Sequence, residues 1–276
     1  MTKNKLVSKN IAILGCGWLG LPLAEHLLTI GHQVKGSTTS EDKLNVLKSK
    51  NIMPFLLQIS EDGISGDLTF FDSVDVLIIA IPPKLRSNPN RKFNFVIEHC
   101  KEACLNYKIK EVVFISSTSV YGSKSRVITE ESSLLPETNA GKQLALCERI
   151  LTQEDKFSTT VLRMGGLIGG QRHPIYQLSK KDYVNNPKGS INLIHLTDCI
   201  LIISKLLNHP ITKNVYNCVT PYHPSREKYY TKMASIMNCK VPLFKAFDES
   251  DRQISSEKIV HHLQYDFKVK NLLILS

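Results

Sequence analysis

Long hydrophobic runs are missing from this chain. None of its 276 residues lies in an apolar stretch of the about 18 residues a bilayer demands, so no part of it is expected to span a membrane. Residues 1–28 pair a basic flank with an apolar stretch, as a secretory signal would, but Glu25, His26 and three glycines interrupt it. Internal repeats and low-complexity linkers are also missing, and 42% apolar with 22% charged residues excludes a mostly disordered chain. The cysteines are too scattered for a disulfide framework: seven of them, an odd number, run from Cys16 to Cys239. Cys100 and Cys104 have the spacing of one helix face, yet no histidine cluster completes a metal site, and they read as buried thiols. No metal is expected, and the chain reads as reduced and cytoplasmic. There is no nucleic-acid motif and no basic–aromatic interleaving, so nucleic acid is not an expected partner.

Acidic residues are in short supply, and unevenly so. The net charge is +10; residues 1–162 carry 19 basic and 17 acidic side chains, residues 163–276 carry 16 and 8. An excess concentrated in the C-terminal part fits an anionic ligand held there, such as a phosphorylated or nucleotide-linked small molecule; a solvated basic surface would give the same count.

What is present is regular. Asn10–Gly15 is a short apolar run ending in glycine, the pattern of a buried parallel strand. Gly15-Cys-Gly17-Trp-Leu-Gly20 follows, then apolar residues at helical spacing from Leu21 to Ile30, then a second strand over Gln33–Ser37. Strand, GxGxxG, helix and strand make a dinucleotide-binding βαβ unit. Gly15 permits the tight turn, Gly17 the approach of a pyrophosphate and Gly20 close helix–strand packing, while the helix start offers N–H groups to the phosphates. Trp18 at that start reads as packing rather than stacking on a cofactor. Alternation continues through a helix at 42–49, strands at 54–59 and 75–81, a helix at 91–107, a strand at 111–116, a helix at 144–151 and a sixth strand at 158–163. The expected fold is α/β, a Rossmann-type doubly wound parallel sheet with right-handed crossovers. The alternation loosens from Gly165, which suggests a dinucleotide-binding domain over 1–164 and a smaller C-terminal α/β substrate lobe over 165–276, interleaved with the last strands. Ligands of such sheets lie beyond the strands' carboxyl ends, where Gly15, Thr38, Ile81 and Ser117 are expected to line a crevice.

Four segments carry a resemblance: the glycine-rich turn, Ser116-Ser-Thr-Ser-Val-Tyr-Gly122, Leu162-Arg-Met-Gly-Gly-Leu-Ile-Gly169 and Asn192-Leu-Ile-His-Leu-Thr-Asp198. In this order they resemble the extended short-chain dehydrogenase/reductases, which include NAD(P)-dependent nucleotide-sugar epimerases and dehydratases. The GxGxxG turn, with Gly169–Pro174 and Pro221–Arg226, is similar to the atypical subgroup. The resemblance implies an NAD(P)-binding protein, an oxidoreductase or epimerase. It breaks at the family's Tyr-x-x-x-Lys, where the tyrosine is the general acid/base and the lysine lowers its pKa. One register puts Thr138 and Lys142 on that pair; another, aligned on Glu148, puts Ala140 and Leu144 there. Neither supplies a tyrosine.

The site expected from these residues is as follows. Gly15, Gly17, Trp18, Leu19, Gly20, Ala80, Ile81, Pro82 and Ser116 form the cofactor cradle, with Thr38, Thr39, Ser40 and Lys43 around the adenosine ribose. With no acid at the end of the second strand before Glu41, the cofactor is read as NADP or NAD, with NADP preferred. Ser117 aligns with the family's catalytic Ser/Thr and Tyr121 with the tyrosine of VYG; they are the candidate catalytic residues. Arg172, His173 and His195 are the candidate substrate contacts, Arg172 for its bidentate fork. Asp198 is expected to cap the helix from Cys199 to Leu207. A Ser117–His195–Asp198 triad is formally possible, without the GxSxG that would support it. The rival reading is a dinucleotide-binding sensor or scaffold without turnover. The protein is expected to be a monomer or a homodimer.

Overall fold

A computed structural model of the chain describes residues 7–123, 127–246 and 251–274. Eight strands form its main sheet: β1 (Asn10–Leu14), β2 (Gln33–Thr38), β3 (Met53–Ile59), β4 (Ile64–Gly66), β5 (Val76–Ile79), β6 (Glu111–Ser117), β7 (Ser158–Met164) and β8 (Asn214–Cys218). Their order across the sheet is β8-β7-β6-β5-β1-β2-β3-β4. The pairs β1–β2, β1–β5, β2–β3 and β5–β6 are parallel, and β4 turns back antiparallel on β3. The chain winds outward from β1 through β3 and then returns to β5 on the other side of β1. That reversal, between β1 and β5, is where a doubly wound sheet opens a crevice.

The strands read as they do because both faces are covered. Ile11, Ala12, Ile13 and all four residues of β5 are fully buried, so no polar alternation survives. The helices present the matching stripe: α1 (Gly20–Thr29) buries Leu23, Ala24 and Leu27, and α3 (Phe93–Asn106) buries Phe93, Val96, Ile97, Cys100, Ala103 and Cys104. α2 (Asp42–Ser49) joins β2 to β3. α4 (Asn139–Thr152) starts at Thr138, whose hydroxyl accepts the Gly141 N–H at 3.0 Å. It therefore begins five residues before the apolar pattern at 144–151. All seven cysteines are free thiols, and Cys100 and Cys104 are buried among their own helix's packing. No described helix is long and apolar enough to cross a membrane.

The chain divides into two compact units. The first comprises residues up to Ser116, Thr138–Leu162 and Ile202–Val215; the second comprises Ser117–Glu137, Arg163–Leu201 and the chain from Tyr216 on. The second unit has its own core, in which Ile168, Ile175, Ile191, Leu193, Tyr229, Met233 and Leu272 pack together. Among the helices of the C-terminal half are α5 (Leu196–Leu207) and α6 (Arg226–Ile236). A short parallel pair, Gly166–Ile168 with Leu193–His195, carries His195 at its end.

Candidate functional site

The glycine turn sits where the sheet's winding reverses. The Gly15 N–H donates to Ser37 Oγ and the Cys16 N–H to the Ser37 carbonyl, both at 2.9 Å, which ties the turn to β2. The Ala80 N–H bonds to the Leu14 carbonyl at 3.0 Å, which ties the end of β5 to β1. Each glycine has a separate physical reason. Gly15 has φ of +99°, and a Cβ there would stand 2.8 Å from Ile81 Cγ2. At Gly20 a Cβ would drive into the Gly15 carbonyl oxygen. At Gly17 a Cβ would meet no heavy atom within 4 Å, so the fold itself does not demand glycine there. Beside this open space α1 starts without a side-chain cap and with no acid in its first turn. An uncapped helix start next to an open glycine is what an incoming phosphate requires. The cradle fits a dinucleotide.

The other expected cofactor residues belong to the same first unit. Leu19 is buried and Trp18 half-buried; Ala80 and Ile81 are half-buried and Pro82 is exposed. Thr38 is buried, its hydroxyl accepting the Ser40 N–H at 3.2 Å, while Thr39 and Lys43 are exposed. The Cys16 thiol points inward over the bare Cα of Gly36, and burial pushes its pKa up to about 12. Ser116 is turned inward too: its hydroxyl donates at 2.5 Å to Glu148, a buried carboxylate on α4.

In the second unit, Ser117 ends β6 half-buried and its Oγ accepts the Ser119 N–H at 3.2 Å. Tyr121 is buried. Its hydroxyl donates to Asn217 Oδ1 at 2.8 Å and accepts from Arg163 at 2.6 Å, with that guanidinium 4.9 Å from the ring centre. Burial raises the Tyr121 pKa and the Arg163 cation works against the rise. Arg172 is exposed on a tight turn in which Gly169 and Arg172 exchange backbone hydrogen bonds at 3.0 and 3.1 Å. His195 stands next to that turn, since a Cβ on Gly169 would lie 3.1 Å from its Nε2; burial holds it neutral. His173 is buried, with Nε2 paired to the Tyr229 hydroxyl at 2.7 Å and Nδ1 accepting the Ile175 N–H at 3.1 Å. Its pKa falls to about 4 through desolvation, so it is no cation at neutral pH.

Two expectations need correction. Asp198 does not cap α5. It is fully buried inside the first turn, its Oδ1 accepting from the Tyr265 hydroxyl and the Lys268 N–H at 2.7 Å each, its Oδ2 from the Val269 N–H at 3.0 Å. His195 Nδ1 accepts the Thr197 N–H at 3.2 Å, and the Asp198 oxygens are committed to residues 265–269, so these side chains do not line up as a triad. Between the two registers lies a third pair at the same spacing, Asn139 and Gln143, and both side chains hydrogen-bond the segment after β5. Thr138 is consumed as the cap, and no phenol stands in that turn.

No protein-family model matches the chain. Among curated proteins it is 32% identical over 272 residues to Protein YeeZ of Escherichia coli (strain K12), covering 97% of this chain and 98% of that one. It is 27% identical to the uncharacterized UDP-glucose epimerase YtcB of Bacillus subtilis (strain 168), over 70% of this chain and 71% of the relative. Among solved structures, the UDP-glucuronic acid 4-epimerase of Bacillus cereus in complex with NAD superposes with a TM-score of 0.78 at 19% identity, covering 96% and 95% of the two chains. The chain shares a family with YeeZ, and it is an atypical short-chain dehydrogenase/reductase. As a member of that family it has the Rossmann-type sheet and resembles NAD-dependent nucleotide-sugar epimerases, while its α4 has amides at the family's Tyr/Lys spacing.

Proposed function

We propose that this short-chain dehydrogenase/reductase binds NADP or NAD on the Gly15–Gly20 turn and acts on a small polar or nucleotide-linked anionic substrate as an oxidoreductase or epimerase. The observation that carries the reading is Gly17. It is a glycine the apo fold does not need, placed against an uncapped helix start. Bound there, the nicotinamide would supply hydride chemistry. The chain's residues bind and orient it: Gly15 and Gly17 through backbone approach, Trp18, Leu19, Gly20, Ala80, Ile81, Pro82 and Ser116 as the surrounding wall. Thr39, Ser40 and Lys43, around the buried Thr38, suit a 2′-phosphate, which is why NADP is preferred. The functional division is 1–164 for cofactor and 165–276 for substrate. There Arg172 offers a guanidinium to an anion and His195 an imidazole, while His173, the third expected contact, is held by Tyr229 and the Ile175 N–H. Tyr121 is the proposed acid/base, with Arg163 as the cation that the missing lysine would have provided, and Ser117 is proposed to hydrogen-bond the reacting oxygen. Reduced buried thiols are compatible with a cytoplasmic protein, monomeric or dimeric.

The second reading, a cofactor sensor without turnover, draws on one observation: the first turn of α4 holds Thr138, Asn139 and Ala140 and no phenol. Calorimetry with NADP and NAD tests the common step. Wild type is expected to bind NADP more tightly, and Gly17→Val to lose both cofactors while unfolding at the wild-type denaturant midpoint. Undiminished binding by the folded variant refutes the site. Hydride transfer in a screen of UDP-sugars then separates enzyme from sensor.

A further inference from the structure

Asn139 and Gln143 spend their amides on the segment that leaves β5. Asn139 Nδ2 donates to the Pro89 carbonyl at 3.0 Å; Gln143 Nε2 donates to the Arg91 carbonyl at 2.8 Å, and its Oε1 accepts the Phe93 N–H at 2.6 Å. The segment is also tied to itself. The Ser87 and Asn88 N–H groups donate to the Lys84 carbonyl at 3.2 and 3.0 Å, and Arg91 donates a guanidinium N–H to the Pro83 carbonyl at 3.3 Å. Residues 82–92 are therefore a pinned loop, held from α4 by a pair of side chains.

This loop carries Lys84, Arg86, Arg91 and Lys92, and the sequence has no acid between Asp75 and Glu98. Arg91 and Lys92 lie over the rings of Phe93 and Phe95, at 5.6 and 5.7 Å, and the Lys92 N–H donates to Glu61. Lys84 and Arg86 are exposed, with no ion-pair partner among the described residues. The loop starts at Ile81, whose side chain abuts Gly15. A cation-bearing loop whose backbone is already held, and which leaves the glycine turn at Ile81, loses little backbone freedom when it meets an anion, which is the benefit of pinning it.

We propose that residues 82–92 are a preformed cationic arm that takes a phosphate-class oxyanion beside the Gly15–Gly20 turn, with Asn139 and Gln143 as its positioning residues. The proposal rests on the cofactor reading above and adds an anion subsite to it. Two sources share the chemistry, the cofactor's own phosphates and the diphosphate of a nucleotide-linked substrate.

The test titrates inorganic pyrophosphate into the full chain at constant ionic strength, with and without saturating cofactor. If the arm serves a substrate, the cofactor-saturated protein binds pyrophosphate. The double variant Lys84→Gln, Arg86→Gln then weakens that binding about tenfold or more and leaves cofactor affinity within about twofold. If the arm serves the cofactor, the saturated protein no longer binds pyrophosphate and the double variant loses about tenfold in cofactor affinity instead. Gln143→Ala is expected to move the same affinity in the same direction and to speed amide exchange at residues 84–92 ahead of the rest of the chain. Identical pyrophosphate and cofactor affinities in wild type and double variant overturn the proposal. The readings fail separately: retained cofactor binding in Gly17→Val sinks the turn as the cofactor site, and the pyrophosphate comparison without cofactor then decides the arm alone.

Discussion

Gly17 and Gly20 stand three residues apart in one turn and respond oppositely to a side chain. A methyl group on Gly20 runs into the backbone carbonyl of Gly15, where nothing flexible can yield. Gly20→Ala is expected to destabilise the chain by about 1–3 kcal/mol in denaturant unfolding, the usual cost of overpacking. Gly17→Val is expected to leave stability unchanged, because a Cβ there meets no heavy atom within 4 Å. The motif spelled out both roles in the sequence, since each follows from local geometry. Tyr121 was legible only as a candidate. Its hydroxyl lies between Arg163 and Asn217, 42 and 96 residues away, and no local spacing reports such partners. Tyr121→Phe leaves a buried guanidinium without that acceptor, so about 1–3 kcal/mol of stability is expected to go. Single-turnover hydride transfer is expected to fall about 10²–10⁴-fold with cofactor affinity unchanged. Full transfer in the folded variant would shift the proton-transfer role to His195 or to the substrate itself.

At the scale of elements, buried parallel strands were the most readable part, because continuous apolar runs such as Val76–Ile79 have few other uses. Two strands of the main sheet escaped the pattern. β4, Ile64–Gly66, is a short half-polar edge, and β8, Asn214–Cys218, mixes asparagine with tyrosine and cysteine because its partners are fixed by tertiary pairing. The start of α4 escaped as well: its first turn holds Gly141 and no large apolar residue, and only the Thr138 cap marks it. Asp198 shows the same limit. Its position in sequence suggested a local cap, yet its three acceptor bonds reach the segment 265–269, where its charge also pushes the Tyr265 pKa up, behind desolvation. An amide in its place has one oxygen and turns N–H groups toward N–H groups. Asp198→Asn is expected to cost about 3 kcal/mol, the scale of hydrogen bonds to a charged acceptor. Hydrogen exchange should then show residues 263–274 opening before α5 and α6. Uniform exchange across the second unit would mean that the apolar contacts of Leu272 and Leu273 hold the segment without Asp198.

The whole molecule carries an acid weakness set by its histidines. His26 and His32 in the first unit and His173, His195 and His223 in the second all have pKa values lowered chiefly by burial. The unfolded chain titrates them near the ordinary 6.5, so between that value and the lower folded ones it binds more protons than the native state. Stability from this source is complete above about pH 6.5 and drains away as the pH falls toward the folded values. His173 has the largest share: a fall to about 4 in a ring that is 6% exposed is worth on the order of 2–3 kcal/mol. Glu130 runs the other way, its pKa raised by burial, and softens the slope in the carboxylate range. Net charge acts with the histidines, since a chain already at +10 becomes more self-repelling with each proton. Denaturant midpoints are therefore expected to stay level from pH 8 to about 7 and to fall steadily from about 6.5 to 4.5. His173→Gln keeps a donor and an acceptor for Tyr229 and Ile175 but does not titrate. Its curve should start lower and fall less steeply over the same window. A wild-type midpoint that does not change down to pH 4.5, or an equal slope in the two proteins, would show that His173 takes up its proton without cost to the fold.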